Sequence, residues 1–489
     1  MLTATILGSG VAFLDGMVVN IALPAISRDL HSGLADLQWI SDAYLLTLGA
    51  LIVLGGSLGD RFGRRLIFVF GLASFTAASV ICGLAPNTIV LIAARAVQGI
   101  GGALLVPGSL AIISASFAPE DRARAVGLWS GMSGVTTAAA PFVGGWLIDS
   151  VSWRAIFFIN VPVAAIAIAV ALRHVPETRD EAASKHIDVS GAVTISLGLA
   201  GVVYALIDGP GNGWSASTIV AGVAGAVLLA LFPFIERRGR DPMIPLGIFR
   251  SRQFTGANLT TFAVYAALSV TGFLLILHLQ QDLRYSALQA GLAFLPASVL
   301  LILLSSRAGA LAQRIGPRLP MTAGPIIAAA GLLLLAGVRL HDSYWTAILP
   351  GVLVFGAGLT LTVAPLTAAV MAAVDVRHLG VGSAINNATA RIGGLLAVAV
   401  VPALAGLASA SSHLAGVSLN DGFTSAMRIG AGMLVAGGLI AALTIRRVAP
   451  VDQAPRTQQP ESAAQIAAAT RSGDGDQGQR KVEVGEAEA

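Results

Sequence analysis

The feature that most constrains this chain is a series of apolar runs, each about 20 residues long, that recurs along nearly its whole length. A helix of that length spans the hydrocarbon core of a bilayer and satisfies its own backbone hydrogen bonds. Only 11% of the residues are charged, against about 25% in soluble proteins. The sequence therefore predicts an all-α integral membrane protein with fourteen transmembrane helices and no separate soluble domain. The predicted cores are 3–25, 38–58, 66–84, 88–109, 123–148, 153–172, 188–207, 217–235, 254–279, 286–306, 319–338, 344–372, 380–407 and 423–445.

Positive charges are distributed unevenly between the two sets of predicted loops. If the chain starts in the cytoplasm, the loops on that side and the end of the last span carry 19 Lys or Arg, and the opposite loops carry four. Since cytoplasmic loops are enriched in basic residues, this bias predicts a multi-pass protein of the cytoplasmic membrane with both termini inside. The net charge of +4 does not indicate a nucleic-acid partner, because the basic residues lie in short separate loops.

Two segments of the first half of the chain recur in the second half. "GSLGDRFGRR" (56–65) aligns with "GALAQRIGPR" (309–318), and "GIGGALLVPG" (99–108) aligns with "GAGLTLTVAP" (356–365). The offsets of 253 and 257 residues are nearly equal, which indicates an internal duplication. The duplication predicts two parallel six-helix halves, an arrangement in which the substrate path lies between the halves.

The duplication also predicts the domain organisation. The expected regions are an N-terminal six-helix half (1–172), a cytoplasmic linker (173–186), two inserted transmembrane helices (187–236), a cytoplasmic loop (237–253), a C-terminal six-helix half (254–447) and a tail (448–489). The tail is rich in Gln, Ala, Gly and acidic residues and poor in large apolar ones, which predicts a disordered cytoplasmic segment.

Five motifs occur in order along the first six spans. They are "LDGMVVNIALPAI" (14–26), "GSLGDRFGRR" (56–65), "RAVQGIGGAL" (95–104), "GMSGVTTAAAPFVGG" (131–145) and "WRAIFFINVP" (153–162). With this set the chain resembles the fourteen-span drug:proton antiporters of the major facilitator superfamily. The resemblance implies a major facilitator fold and proton-coupled export of amphipathic or hydrophobic small molecules, cationic ones among them, by alternating access. A dedicated exporter of one metabolite or self-made antibiotic is the alternative.

Two charges inside the first four spans are candidates for proton coupling. A charge at the centre of a bilayer costs about 2.5–3.5 kcal/mol, so such residues tend to be paired and functional. Asp15 lies in the first span, and Arg95 opens a polar and small face of the fourth span that continues through Gln98. The resemblance implies a functional acid at Asp15 and a role in proton transfer for Arg95. The alternatives are a packing hydrogen bond for Asp15 and the capping of helix carbonyls for Arg95.

Asp42, in "QWISDAYLL", is the third candidate for proton coupling and is placed one turn into the outer end of the second span. It can be an exposed acid at a helix start, stabilised by the helix dipole. The alternative is a second proton or cation site near the outer mouth.

The loop motif 56–65 predicts a gate. In the repeat Gln313 stands where Asp60 stands here, so the acid is not needed to make the turn. We expect Asp60 to accept hydrogen bonds from the adjacent half when the protein faces outward. Gly56 and Gly63 would permit the close approach, and the predicted gate includes Arg61 and Arg65.

The fifth span carries small residues at alternating intervals of three and four, which form one face for close helix packing. Its members are Gly127, Gly131, Gly134, Ala138, Pro141 and Gly145. This face predicts a packing and hinge seam between the halves, with Pro141 and Gly145 as gating residues.

Six polar or aromatic residues are expected to line the substrate cavity: Phe13, Gln98, His278, Gln281, Asn387 and Arg391. Asn387 and Arg391 share one face of the thirteenth span, so Arg391 should point to the interior, where it binds an anionic group or forms a structural pair. Interfacial snorkelling is the alternative for His278 and Gln281.

Several functional classes lack their residues in this sequence. A phosphate-binding loop that holds ATP needs a Lys followed by Ser or Thr. The two lysines of this sequence do not meet this requirement, because Lys185 precedes His186 and Lys481 precedes Val482. Cys82 is the only cysteine, the histidines are scattered, and no nucleophile, base or ligands converge, so neither an enzyme nor a metal site is expected. We expect no cofactor and no ATP. The expected partners are a small-molecule substrate, protons and the lipid bilayer, with the proton gradient as the energy source.

Overall fold

The computed structural model describes residues 1–180, 187–239, 242–339, 342–375, 379–407 and 419–446. Residues 1–447 belong to one compact unit. The tail predicted at 448–489 and part of the linker predicted at 173–186 lie outside the described residues. Throughout the described part, the regular secondary structure is helical and no strand occurs.

Sixteen α-helices are described. They are α1 (Leu2–Leu30), α2 (Leu34–Phe62), α3 (Arg64–Leu84), α4 (Thr88–Ser116), α5 (Pro119–Ser150), α6 (Ala155–Phe158), α7 (Asn160–His174), α8 (Val189–Asn212), α9 (Ala216–Arg238), α10 (Arg252–Gln281), α11 (Ala287–Ala293), α12 (Leu295–Ile315), α13 (Arg318–Leu335), α14 (Leu349–Ala372), α15 (Leu379–Leu404) and α16 (Leu419–Thr444). A 3₁₀ helix (Leu246–Arg250) precedes α10, and a π-helical turn (Tyr344–Ile348) leads into α14.

Thirteen helical segments in the described residues are long and apolar enough to span a membrane. Three of them join two elements each: α6 with α7, α11 with α12, and the π-helical turn with α14. The remaining predicted span, 123–148, lies in α5, which is 32 residues long. The small and polar residues of the α5 seam lower its hydropathy, so this helix meets the length requirement but not the apolar one. An all-α, multi-pass membrane architecture is therefore confirmed.

Short polar residues begin many of the helices. The side chains of Asn87, Ser215, Ser251 and Ser286 each accept a hydrogen bond from a backbone N–H of the first turn that follows. Such caps satisfy donors that have no partner inside the helix. Between α2 and α3 the chain turns on Gly63 alone, whose φ of 126° is open only to glycine.

The two copies of the duplication make equivalent helix contacts. Gly101 of α4 lies against the backbone of Gly71 and Phe75 in α3, and Gly358 of α14 lies against Gly324 and Ala328 in α13. Gly71 and Gly324 are 253 residues apart, and Gly101 and Gly358 are 257 residues apart. These separations equal the two offsets of the sequence repeat. A side chain at any of these glycines would separate its helices, because the facing backbone occupies the space of a Cβ.

Among the described residues, helices of the two predicted halves meet where α2 packs on α15, α1 on α10 and α11, and α5 on α11 and α12. We call the end of the bundle where α1 ends and α2 begins the outer end, and the opposite end the inner end. The outer end is the side predicted to be extracellular. The boundaries of the two halves stay predictions.

Candidate functional site

Asp15 and Arg95 form a buried ion pair between α1 and α4. The Arg95 guanidinium donates to the Asp15 carboxylate and, from Nε, to the carbonyl of Ile40 at 3.2 Å. It also lies over the ring of Tyr44, with Cζ 4.4 Å from the ring centroid. Asp15 is 1% and Arg95 2% exposed. The structure thus brings together two residues that the sequence separates by 80 positions, and Arg95 both pairs with an acid and satisfies a helix carbonyl.

Two amide side chains also donate hydrogen bonds to Asp15. Gln98 donates to Asp15 Oδ1 at 2.8 Å and accepts from Arg95 at 2.6 Å. Asn160, at the start of α7, donates to the same Oδ1 at 3.3 Å and to the hydroxyl of Ser79 at 2.9 Å. Ser79 in turn donates to the Phe157 carbonyl at 3.0 Å. We call Asp15, Arg95, Gln98, Asn160 and Ser79 the Asp15 network.

The Asp15 network links α1, α3, α4 and α7 through charged and polar groups that are almost fully buried. In such a low-dielectric environment, removal of one partner leaves the others unsatisfied, so the network responds as a unit. Protonation of Asp15 would remove the charge that holds Arg95. Sequence reasoning placed Gln98 in the substrate cavity and did not identify Ser79 or Asn160. An asparagine within an apolar run, in "FFINVP", was the available signal.

Asp42 differs from Asp15 in its surroundings. The side chain is 0% exposed, and neither carboxylate oxygen has a hydrogen-bond partner among the described residues. One turn before it, Gln38 donates to the Val398 carbonyl of α15 at 2.6 Å. Two turns after it, Gly49 lies beside Arg391 of α15. Because residues about one turn apart share a helix face, Asp42 lies on the face of α2 that packs against α15.

The helix-start interpretation of Asp42 is wrong. Helix α2 begins at Leu34, and the acid of its first turn is Asp36, which accepts a hydrogen bond from Gly33 N at 3.0 Å. Asp42 lies more than two turns inside the helix and is buried there. A buried carboxylate without a partner is costly, and a second proton site at Asp42 stays a prediction.

At the outer end the two predicted halves are in close contact. The carboxylate of Asp149, at the end of α5, accepts hydrogen bonds from the backbone N–H groups of Ala287 and Leu288 at 3.1 and 2.9 Å. These groups begin α11, where unpaired N–H groups favour an anion. Gly145 packs against the same backbone, and Gly291 of α11 packs against Pro141. Sequence reasoning identified Pro141 and Gly145 but not Asp149.

Toward the inner end the same face of α5 is open. A Cβ at Gly127 or Gly131 would meet no atom within 4 Å, and one at Gly134 would meet only Ile302, at 4.0 Å. At the outer end, by contrast, Gln280 of α10 also donates to the Ile21 carbonyl of α1 at 2.9 Å. The described residues therefore form a bundle that is closed at the outer end and open between α5 and α12 at the inner end.

The described polar contacts of the loop motif 56–65 are made within the first predicted half and with the linker that follows it. Arg64 Nε donates to Asp60 Oδ1 at 2.9 Å, and the backbone N–H of Asp180 donates to the Asp60 carbonyl at 2.9 Å. Arg61 lies over the ring of the adjacent Phe62, and the nearest neighbour of a Cβ at Gly56 would be Pro107, at 3.6 Å. In this arrangement Asp60 binds an arginine of its own loop, with Arg64 as the partner.

Glu177 anchors the beginning of α3. Its carboxylate accepts from the backbone N–H groups of Arg65 and Leu66 at 3.0 and 3.1 Å. The Arg65 side chain donates to the Val175 carbonyl at 3.1 Å, and Arg64 N donates to the Thr178 carbonyl at 3.0 Å. The segment after α7 therefore holds the loop motif in place. No sequence motif pointed to Glu177.

The predicted cavity residues fall into separate environments. Phe13 packs edge-on against Trp129, with ring centroids 6.4 Å apart. His278 is 1% exposed, bonds Asp282 at 2.6 Å and stacks on Phe423, so it is enclosed near the outer end and does not snorkel.

The other three residues are half-buried. Asn387 donates to the Ser383 carbonyl of its own helix at 3.1 Å. Arg391 lies beside Gly49 of α2, and Gln281 is the last residue of α10.

A family model described as Major Facilitator Superfamily matches residues 5–398 and, in a second match, residues 257–473. The chain belongs to the Major Facilitator Superfamily.

Relatives of this chain carry names that refer to drug resistance. Multidrug resistance protein Stp of Mycobacterium tuberculosis is 38% identical over 405 residues, which cover 82% of this chain and 74% of that protein. Tetracenomycin C resistance and export protein of Streptomyces glaucescens is 35% identical, over 82% and 75%. Methylenomycin A resistance protein of Streptomyces coelicolor is 35% identical, over 85% and 88%. The predicted kinship with drug exporters of this superfamily is confirmed.

Solved structures share the fold at low identity. The POT family transporter PepTSo is 14% identical, with a TM-score of 0.65, over 91% of this chain and 97% of that one. The human organic anion transporter MFSD10 (TETRAN) is 18% identical, with a TM-score of 0.58, over 90% and 99%.

Proposed function

We propose that this protein exports antibiotics and other drug-like small molecules across the cytoplasmic membrane in exchange for protons, by alternating access. The observation that carries the proposal is the Asp15 network, a buried carboxylate held by a cation and two amides inside a transporter of this superfamily. The relatives named for multidrug, tetracenomycin C and methylenomycin A resistance support drugs as the substrate class.

The coupling step follows from the contacts of Asp15. With the bundle open at the inner end, the ionised carboxylate holds Arg95, Gln98 and Asn160. This is the state that accepts a drug from the cytoplasm. After the bundle opens outward, a proton binds to Asp15 and Arg95 loses its partner, which favours drug release. The proton leaves toward the cytoplasm when the inner end opens again.

The energy source and the orientation are part of this proposal. Moving one charge across a membrane potential of 100 mV provides about 2.3 kcal/mol, so proton entry can drive export without ATP or a cofactor. The excess of basic residues in alternate loops supports cytoplasmic termini. We infer a transporter without catalytic activity.

Transport in proteoliposomes with an imposed pH gradient tests the coupling. Asp15→Asn keeps the size of the side chain but cannot exchange a proton. We expect a loss of about 100-fold in gradient-driven efflux, the low end of the effect of removing a proton-transfer group. Counterflow exchange of labelled drug, which needs no proton movement, should persist.

Asp36→Asn is the matched control, because Asp36 caps the start of α2 and lies outside the Asp15 network. It should leave both assays unchanged. Gradient-driven efflux that is equal in Asp15→Asn and in the wild-type protein would contradict the proposed role of Asp15.

A dedicated exporter of one antibiotic is the second candidate. It is supported by relatives named for a single compound, such as the probable actinorhodin transporter of Streptomyces coelicolor, 33% identical over 80% of this chain and 69% of that protein. Resistance measured over a panel of unrelated compounds separates the two. A multidrug exporter should protect against several chemical classes, and a dedicated one against a single class.

A further inference from the structure

A surface cavity of about 590 Å³ lies between the end of α9 and the 3₁₀ helix Leu246–Arg250. Its lining is Arg237, Leu246, Gly247, Phe249 and Arg250. Both arginines are exposed. Among the described residues, neither forms an ion pair with a carboxylate. Within the described part of the chain, the cavity therefore combines apolar walls with two guanidinium groups that have no carboxylate partner.

An exposed apolar stripe on α9 leads to this cavity. Its large members are Ile219, Val220, Val223, Val227, Leu231 and Phe234. From Val220 onward they recur at intervals of three and four residues, which places them along one side of the helix, and the next step of three reaches Arg237. Only 11% of the α9 span is buried inside the protein, so this side faces lipid.

The segment that forms the other wall is fixed to the helix ends. The backbone N–H of Ile244 donates to Glu236 at 3.0 Å, and that of Met243 donates to Asp188 at 3.3 Å. Burial alone would raise the pKa of the Asp188 carboxyl, but hydrogen bonds from Gly191, Ser190 and Met243 outweigh it and lower the pKa. Asp188 therefore stays ionised at neutral pH and keeps the wall in place, so the cavity is preformed.

We propose that this cavity binds an anionic phospholipid of the cytoplasmic leaflet, with the headgroup phosphate between Arg237 and Arg250 and one acyl chain along the apolar stripe of α9. Arginine matches phosphate in charge and in hydrogen-bond geometry. Basic pockets beside transmembrane helices on the cytoplasmic side are typical of sites for acidic headgroups. A Cβ at Gly247 would meet no atom within 4 Å, so there is room for the headgroup. The assignment to the cytoplasmic leaflet depends on the orientation proposed above, but the binding of the phospholipid does not.

Native mass spectrometry of the full-length protein in detergent micelles tests the site, with added phosphatidylglycerol or phosphatidylcholine. The wild-type protein should retain phosphatidylglycerol in preference to phosphatidylcholine. Arg237→Gln and Arg250→Gln should each reduce the retained phosphatidylglycerol by about fivefold, the effect expected for one basic residue near an anionic surface. Gly247→Phe, which fills the cavity but keeps both arginines, should reduce it as well.

The matched control is Arg173→Gln, which removes an exposed arginine of the inner end of α7 that does not line the cavity. It should retain as much phosphatidylglycerol as the wild-type protein. The proposal fails if all three cavity variants also match the wild type. It equally fails if inorganic phosphate or glycerol 3-phosphate displaces the lipid at concentrations where they alone stabilise the protein, since the site would then bind a free anion. Neither readout involves transport, so the lipid-binding proposal is tested independently of the proposed function.

Discussion

Two buried carboxylates, Asp15 and Asp42, lie in opposite environments. Asp15 accepts from a guanidinium and two amides, so its ionised form is well satisfied. Asp42 accepts from no described group, although it is as deeply buried. Removal of a partner of Asp15 would leave a buried charge unsatisfied, whereas Asp42 has no described partner to lose.

Asp42→Asn tests the second proton site. The amide is neutral and of the same size, so we expect unchanged thermal stability. If Asp42 exchanges a proton during transport, the variant should release fewer protons when drug is added to the purified protein in weakly buffered detergent solution. A pH-sensitive dye measures this release.

Ser41→Ala, at the neighbouring position, is the control for the Asp42 experiment. In the described part of the chain, the Ser41 hydroxyl makes one long hydrogen bond, to Asn20 at 3.5 Å, so its removal should not change proton release. Equal release from Asp42→Asn and the wild-type protein would leave Asp15 as the single proton site.

At the scale of helices, the same type of contact occurs at both ends of the bundle, namely a carboxylate that caps the start of a helix. Glu177 accepts two successive backbone N–H groups at the start of α3, and Asp149 does so at the start of α11. The partners of Glu177 belong to the predicted N-terminal half, whereas those of Asp149 belong to the other half. An outward opening must therefore break the Asp149 contact and can leave the Glu177 contact intact.

Asp149→Ala should favour the outward-open state. Hydrogen bonds to a charged group contribute about 1.5–3 kcal/mol, so the population of the open state should rise by roughly tenfold or more. A cysteine in place of Leu288, which faces Gly145, reports the opening in a Cys82→Ser background. Its reaction with a membrane-impermeant thiol reagent should become faster.

Asp29→Ala is the comparison for the Asp149 variant, because the partners of Asp29, Trp153 and Arg154, lie in the same predicted half. It should not change the reaction rate. If Asp149→Ala leaves the rate unchanged as well, the hydrogen bonds to α11 do not hold the outer end closed.

At the scale of the whole molecule, the contacts describe one state of an alternating cycle. The outer end is closed by Asp149, Gly145 and Gln280, and the seam of α5 is open toward the inner end. Asp60 is bound to Arg64 in this state, so a contact with the other half can form only when the inner end closes. The predicted role of Asp60 as an inner gate belongs to that outward-facing state.

Asp60→Asn should therefore slow turnover without reducing expression or drug binding in the inward-open state. Gln313→Ala, at the equivalent position of the repeat, should have little effect. Single-turnover and steady-state efflux in proteoliposomes separate binding from turnover. Equal losses in the two variants would show that the loops act symmetrically and that Asp60 is not a specific gate.

The sequence by itself determined the helical membrane architecture, because a bilayer allows few ways to satisfy the backbone of a long apolar run. It also identified Asp15 and Arg95, since a charge in such a run is rare and costly. Tertiary structure alone decided that these two meet, that Asn160 and Ser79 join them, and that Asp149 closes the outer end. Such contacts depend on which faces of distant helices pack together, and the small residues that permit this packing are alike on many faces. Spacing along the chain therefore could not show that Asp42 lies buried against α15, without a hydrogen-bond partner among the residues that the structure describes.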